Sequence, residues 1–480
     1  MNYSIIRYIL GTVLKFESFF LCIPMLVGLF MGEKSGYAFL ISVVAAMAVG
    51  VLLGYRKPKS YVFYAAEGFV SVSLSWLALS LFGALPFWLS GEFPSFTDAL
   101  FEAVSGFTTT GASILSQVEG LSHACLIWRS FTHWIGGMGI LVFVLAVFPM
   151  NGGHLMFLMK AESPGPSVEK LVPRVKTTAI ILYAVYTALT VTEIFLLTVT
   201  GMPFFDAVNI SFATAGTGGF GVLNDSAGSY APHLQVIITV FMILFGVNFN
   251  AYYLILSKKV KSALRSEEVR AYLLIILVSG LLIAYNIRGM YSTIAEALRH
   301  SFFQVASIMT TTGFSTVDFA KWPQFSNTIL VCLMFVGACA GSTGGGIKVS
   351  RILIMCKTAL KELFTIKHPH GVKTVKMDNR VVEHETIRSV NIFVIIYVMV
   401  YVISVLLISL DNHDFTTNFT AVAATINNIG PGLSMVGPAE NFGFFSDFSK
   451  YILMFDMLAG RLELLPMIVL FAPMTWKRTK

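Results

Sequence analysis

Thr108-Thr109-Thr110-Gly111, Gly216-Thr217-Gly218-Gly219, Thr310-Thr311-Thr312-Gly313 and Asn427-Asn428-Ile429-Gly430 are one short phrase written four times in a chain of 480 residues. Each copy ends in glycine, and a small residue stands six positions before that glycine, at Ser105, Ala213, Ser307 and Ala424. A half-apolar run of about a dozen residues leads into each copy. The unit reads as a short helix that ends in a glycine turn, since glycine takes the left-handed conformation without a β-carbon penalty. Four such units predict four quasi-equivalent elements around one axis.

Composition puts these units in a bilayer. Hydrophobic residues make up 56% of the chain and charged residues only 12%, with a mean hydropathy of +0.75, whereas soluble domains are about a quarter charged. Runs such as 177–196 and 234–249 carry one charge or none and read as membrane-spanning helices. The alternating ten-residue segments of a transmembrane barrel are not found. Cys22, Cys125, Cys332, Cys339 and Cys356 lie in or beside apolar runs without metal-ligand spacing, and read as packing residues. The segment Ile5 to Phe30 carries Lys15 and Glu17 and no small-residue cleavage site, so it reads as a retained helix rather than a cleaved signal.

The net charge of +7 does not point to nucleic acid, because of where it sits. Lys and Arg concentrate in alternate loops: Arg56 to Lys59, Lys160 to Lys176, Lys258 to Arg270, Lys357 to Arg388, and the tail Lys477 to Lys480. The intervening loops are richer in acids, among them Glu92, Asp98, Glu119, Asp206, Asp225, Asp411, Asp414 and Asp447. The positive-inside bias predicts cytoplasmic termini and glycine turns that face outward.

In chain order, residues 1–62 hold two spans and no glycine loop, an appendage to the repeats. Four repeats are predicted at 63–176, 177–268, 269–387 and 388–480, each made of span, short helix, glycine loop and returning span. The short helices are Phe96 to Phe107, Phe204 to Ala215, Ile294 to Met309 and Phe415 to Ile426. The loops are 108–113, 216–221, 310–315 and 427–432. The expected fold is all-α integral membrane with ten transmembrane helices. At 1.5 Å per residue a twelve-residue helix reaches about 18 Å, short of roughly 30 Å of hydrocarbon. The short helices must therefore be re-entrant, which is tolerated only where backbone is buried in protein or lines water. Their C-terminal ends, negative by the helix dipole, favour a cation in the cavity between them.

Stacked carbonyl rings need consecutive carbonyls turned one way, hence positive φ between ordinary residues. Glycine supplies that conformation cheaply, and threonine adds a hydroxyl acceptor and a stiff χ1. Such carbonyls can replace the hydration shell of an alkali ion. The plainer reading, a helix that simply terminates at glycine, suffices for one loop but not for four in register.

Taken with Ser105 to Ser113, Gly216 to Gly221, Thr310 to Ser315 and Asn427 to Gly432, the whole chain resembles the Trk, Ktr and HKT potassium-uptake family, most nearly its bacterial TrkH branch with the extra N-terminal pair. The resemblance implies a pseudo-fourfold pore in each subunit of a homodimer in the bacterial cytoplasmic (inner) membrane. It implies a potassium filter, mainly of backbone carbonyls, at Thr109, Thr110, Gly111, Thr217, Gly218, Gly219, Thr311, Thr312, Gly313, Asn428, Ile429 and Gly430. A serine in place of the first filter glycine accompanies sodium selectivity in some plant relatives; Gly111 therefore implies potassium. Asn428 and Ile429 depart from the threonines of the first and third loops, so the fourth loop is expected to contribute through its carbonyls.

Each returning span is expected to break near its middle: Trp134 to Gly139, Gly246 to Asn250, Gly341 to Lys348 and Gly460 to Glu463. Glycine costs about 1 kcal/mol relative to alanine inside a helix, so Gly341-Ser342-Thr343-Gly344-Gly345-Gly346 is expected to be a loop at membrane depth. By resemblance it is an intramembrane gate, with Arg461 as a positive group in the cavity below the filter. The alternative for Arg461 is a buried pair with Glu463 or Asp456. Lys348 reads as a gate residue or, by a small margin, as a snorkelling anchor. Trp128, Trp134 and Trp322 read as interface-belt aromatics, and Glu17, Glu67, Glu102 and Glu193 as isolated acids. A Walker-type reading of the 341–348 stretch fails because its lysine is one residue late and no strand precedes it. GxGxxG at Gly216 to Gly221 lacks a βαβ unit.

No paired carboxylates, HExxH or activated serine indicates an enzyme. The expected function is gated, channel-like potassium uptake; a symporter coupled to protons or sodium, or a sodium-permeable relative, stays open. Potassium is the one small-molecule ligand expected, with no organic cofactor on this chain. The resemblance implies a separate cytosolic TrkA-type nucleotide-binding ring as partner, and the basic loops at 258–270 and 357–388 read as its docking surface or as solvated positive-inside charge.

Overall fold

A computed structural model describes residues 1–58, 64–139, 175–369 and 371–476. α1 (Tyr3–Phe30) and α2 (Ser35–Gly54) form a hairpin, and α3 (Ala65–Leu89) leads through the short α4 (Phe96–Phe107) to α5 (His123–Met138). The same order follows in α6 (Val175–Val199), α7 (Phe204–Gly216), α8 (Pro232–Phe245) and α9 (Phe249–Leu256). After α10 (Val260–Arg265) come α11 (Glu267–Ile287), α12 (Ile294–Met309), α13 (Gln324–Val336) and α14 (Val349–Lys367). A two-residue hairpin, β1 (Lys376–Met377) and β2 (Arg380–Val381), precedes α15 (His384–Ile408), α16 (Phe415–Ile426), α17 (Asp447–Arg461), α18 (Leu465–Phe471) and α19 (Pro473–Trp476).

Among the described residues, six helices are long and apolar enough to cross a membrane: α1, α2, α3, α6, α11 and α15. α8 and α9 pass the same test only as a pair, bent by 90°. The other returning helices stop at or near a glycine. α5 stops before Gly139, whose φ is +79°; residues 337–348 separate α13 from α14, and residues 462–464 separate α17 from α18. The expected extension of the first returning span to Phe148, the link 160–176 up to residue 174, Lys59 and the tail 477–480 lie outside the described residues.

The bend between α8 and α9 shows how a break is tolerated in hydrocarbon, where unpaired backbone costs several kcal/mol. Thr343 Oγ1 donates to the freed Phe245 carbonyl (3.2 Å), Cys339 N to Gly246 O (3.1 Å), and Phe249 N to Gly341 O (3.0 Å). One broken segment thus satisfies another.

α1 and α2 pack backbone to backbone at glycines, as small residues permit in membranes. A β-carbon on Gly11 would stand 2.5 Å from Gly54 N, and one on Gly28 would stand 2.9 Å from Gly36 Cα. This hairpin covers α3, whose most apolar window is 61% buried, against 22% for α6 and 28% for α11 and α15. Those three leave most of their apolar flanks exposed.

Trp128, Trp134 and Trp322 each find a hydrogen-bond acceptor within the fold. Trp128 is fully buried and donates to Gly83 O (3.0 Å), Trp322 donates to the Tyr291 hydroxyl (3.0 Å), and Trp134 donates to Thr190 Oγ1 (3.3 Å) while stacking on Phe131. An indole N–H that finds a partner lets the ring enter the core.

Candidate ion-binding site

Of the four short helices α4, α7, α12 and α16, all but α7 start at a side-chain cap, and all four end together. Ser95, Thr293 and Asp414 accept from the N–H groups of Asp98 (3.1 Å), Glu296 (3.2 Å) and Thr417 (3.0 Å), the usual repair of a free helix N-terminus. Hydrogen bonds from Thr417, its hydroxyl first, hold the exposed Asp414 carboxyl below its ordinary range.

At their C-termini the four helices close identically. Thr109, Thr217, Thr311 and Asn428 have φ of +55°, +55°, +61° and +55°; two residues on, Gly111, Gly219, Gly313 and Gly430 have φ of +80°, +78°, +88° and +95°. The N–H groups of Thr110, Gly218, Thr312 and Ile429 reach back to the carbonyls of Ser105, Ala213, Ser307 and Ala424 at 2.9, 2.9, 2.8 and 2.8 Å. The small residue six positions before each glycine is thus the acceptor of a Schellman-type bond. The left-handed position nearest the helix is a threonine or asparagine, not the glycine. Each such residue costs about 1–2 kcal/mol and persists only where its surroundings over-determine it.

The loops meet in cyclic order. A β-carbon built on Gly111 would stand 1.9 Å from the carbonyl oxygen of Gly218; one on Gly219, 2.1 Å from that of Thr312; one on Gly313, 2.1 Å from that of Ile429; and one on Gly430, 2.8 Å from that of Thr110. Loop one touches two, two touches three, three touches four, and four returns to one. The oxygens of Thr110, Gly218, Thr312 and Ile429 therefore form one ring, and every neighbouring glycine is there because no side chain fits.

Threonine hydroxyls brace loops one and three, Thr108 to Thr110 at 2.8 Å and Thr310 to Thr312 at 2.7 Å. Loop four does this differently: Asn428 Nδ2 donates to Thr110 Oγ1 (2.9 Å) and to Met457 O (2.9 Å). The departure from threonine supplies a cross-link between the last loop and the first.

Residues 341–348 pack against the helix-side face of this ring. Gly345 N donates to Thr311 Oγ1 at 2.6 Å, a β-carbon on Gly345 would stand 2.4 Å from Asn427 O, and one on Gly344 would stand 2.8 Å from Thr310 O. Ser342 donates to Cys339 O (2.6 Å) and Gly346 has φ of +77°. Arg461 donates to Thr343 O (2.9 Å), Gly136 O and Gly137 O (2.7 Å), tying the segment to the break after α5. The expected alternative partners are engaged elsewhere, Glu463 with Arg351 and Asp456 with Ser404. Lys348 is not a snorkelling anchor: it is 1% exposed, and its ammonium donates to Gly344 O in its own loop. Its φ of +83° turns the side chain back. Glu268 accepts from Ala340 N (2.7 Å) and Ser350 N (3.2 Å), clamping both ends of the segment.

Several residues at the ring gave no sequence signal. Glu102 is not isolated; it pairs with Arg129 at 2.8 Å, both essentially buried, and accepts from Ser113. Arg129 also donates to Gly221 O (3.2 Å) and covers the Phe220 ring at 4.1 Å. Glu67 accepts from Tyr64 N and Asn2 N, at the start of α3. Buried ion pairs join residues far apart in sequence, which spacing cannot reveal. Among the described residues no cluster of His, Cys, Asp and Glu could hold a metal; oxygen from main chain is what the ring offers.

The chain matches the family model of TrkH, described as a cation transport protein, over residues 35–283 and 285–478. The Trk system potassium uptake protein TrkH of Salmonella typhimurium is 38% identical over 489 residues, covering 99% of this chain and 100% of that protein. TrkG of Escherichia coli, also a Trk system potassium uptake protein, is 35% identical over the same shares. The crystal structure of the potassium transporter TrkH from Vibrio parahaemolyticus superposes with a TM-score of 0.89 at 32% identity, over 99% of this chain and 100% of that one.

Proposed function

The chain belongs to the TrkH family of cation transport proteins and is a multi-pass membrane protein of potassium uptake; we propose that it works through a gated, channel-like pore with a main-chain filter. The observation that carries this reading is the cyclic contact of the four glycine loops, which collects the oxygens of Thr110, Gly218, Thr312 and Ile429 into one ring. Four helix C-termini end at the ring, each equivalent to roughly half a negative charge. Carbonyls there can stand in for the water that potassium sheds, while the surrounding glycines hold the spacing.

The repeats at 63–176, 177–268, 269–387 and 388–480 then surround the ion path in pseudo-fourfold fashion. Ten spans result when each interrupted returning segment counts as one. Residues 341–348 are the gate: Thr311, Arg461 and Glu268 hold them under the ring. The Arg461 guanidinium keeps a positive charge on the path until the loop moves. The relatives are named as parts of a Trk system, and the partner proposed for this chain is a cytosolic TrkA-type nucleotide-binding ring docked near the basic loops, with the chain itself a homodimer. The proposed setting is the bacterial inner membrane with both termini cytoplasmic.

Reconstituted vesicles with potassium, rubidium or sodium gradients test the proposal. Downhill potassium and rubidium flux without a proton or sodium gradient is expected. Flux that stops without a coupling ion would replace the channel by a symporter.

A further inference from the structure

The second glycine loop is the least braced by its own residues. It holds glycine at 216, 218, 219 and 221, the composition with the most conformational freedom. It lacks the hydroxyl pair of loops one and three; Thr217 Oγ1 turns to its neighbour Gly216 O (2.6 Å). Yet its backbone matches the other three loops, with φ of +55° at Thr217 and +78° at Gly219. Something outside the loop must fix it.

The fixing group is on α5. His133 is fully buried, with Nδ1 at 2.7 Å from Gly106 O and Nε2 at 3.3 Å from Phe220 N. An amide N–H can only donate, so Nε2 is the acceptor, and Nδ1 carries the proton and donates to Gly106 O. The imidazole is thereby set in one neutral tautomer, joining the end of α4 to loop two. Its ring lies 4.2 Å from that of Phe220, and a β-carbon on Gly218 would stand 2.3 Å from its Cγ. One turn earlier Arg129, held by Glu102, takes Gly221 O and the other contact with Phe220. α5 therefore clasps Phe220 and Gly221, and the imidazole backs Gly218, whose oxygen belongs to the ring.

We infer that His133 is the positioning residue of the second filter loop, and that its acceptor bond from Phe220 N sets the ion preference of the pathway. The inference rests on the proposed filter. Without that bond a buried N–H is left unpaired, and the loop with the most glycine is free to move its carbonyl out of the ring.

The test measures the ratio of rubidium to sodium flux in vesicles, a quantity independent of how much protein folds. His133→Phe keeps ring volume and removes both bonds. His133→Asn keeps a donor toward Gly106 but loses the acceptor for Phe220, while His133→Gln keeps an acceptor there. Phe and Asn are expected to lower the ratio about tenfold, the scale of one lost buried hydrogen bond, with Gln near wild type. Gly313→Ser serves as the filter control. If it lowers the ratio while Phe and Asn do not, the filter stands and the role of His133 is refuted; if none of the three alters it, the filter reading falls and takes the inference with it. Should Phe fail to accumulate, the contrast of Asn with Gln decides alone.

Discussion

Adding a hydroxymethyl group at each ring glycine should damage ion preference in a graded way that the backbone already dictates. Real β-carbons essentially never approach another atom closer than 3.0 Å. Measured against that floor, a serine β-carbon intrudes on the next loop's oxygen by about 1.1 Å at Gly111, about 0.9 Å at Gly219 and Gly313, and only about 0.2 Å at Gly430. The obstructing atom is a main-chain carbonyl in every case, so relief requires moving the ring. Each substitution also forces a non-glycine residue into left-handed backbone, a further cost of about 1–2 kcal/mol. A displacement near 1 Å exceeds the difference in radius between potassium and sodium, and the expected loss of potassium preference over sodium at residues 111, 219 and 313 is about tenfold or more, equivalent to about 1.4 kcal/mol. Gly430→Ser should lose markedly less. The assay is the potassium-to-sodium flux ratio in vesicles, normalised to protein incorporated. Equal effects at all four positions, or a larger effect at Gly430, would refute the cyclic packing as the source of selectivity.

Removing Gly344, Gly345 and Gly346 should raise basal potassium flux several-fold, because the segment that contacts Thr310 O and Asn427 O can then no longer reach the ring; an intact, folded variant with unchanged flux would show that it is no gate. Arg461→Ala breaks hydrogen bonds to Thr343 O, Gly136 O and Gly137 O. Charge-assisted bonds are worth about 1.5–3 kcal/mol each, so basal flux should rise and detergent-solubilised thermal stability should fall, read together by flux and melting assays. Asp414, the cap of α16, has a lowered folded-state pKa through Thr417. Its contribution to stability is therefore present above the ordinary carboxylate range and is lost as pH falls through the folded value. Asp414→Asn should accordingly flatten the acid side of the melting profile, and a variant with the wild-type profile would show that the cap contributes nothing.

Much of the architecture was legible because membrane composition and glycine punctuation are strong signals. The ends of α4, α12 and α16 coincide with the apolar runs that precede each glycine phrase, and α7 exceeds its expected end by one residue, Gly216. α5, α8 and α13 each stop just before a glycine (Gly139, Gly246 and Gly337), and the break after α17 follows Gly460 by two residues. What stayed hidden depends on contacts rather than on local sequence. Thr109, Thr217, Thr311 and Asn428 occupy left-handed backbone, a conformation that residue type does not signal as glycine does. Lys348 looked like an anchor by its place in the sequence, but its backbone folds the ammonium inward onto Gly344. Trp128 and Trp322 are buried and donate to Gly83 O and the Tyr291 hydroxyl, partners 45 and 31 residues away that spacing does not reveal. Glu102 and Arg129 are 27 residues apart, and the role of His133 depends on a helix whose partner loop lies 87 residues away.

The most direct measurement is an experimental map of the protein soaked with thallium, a potassium surrogate whose anomalous signal marks its position. A peak on the axis between the carbonyl oxygens of Thr110, Gly218, Thr312 and Ile429, lost on exchange into sodium, is the expected result. A protein that still conducts potassium but shows no thallium at that ring, or shows it elsewhere along the chain, would contradict a pore built on these four loops.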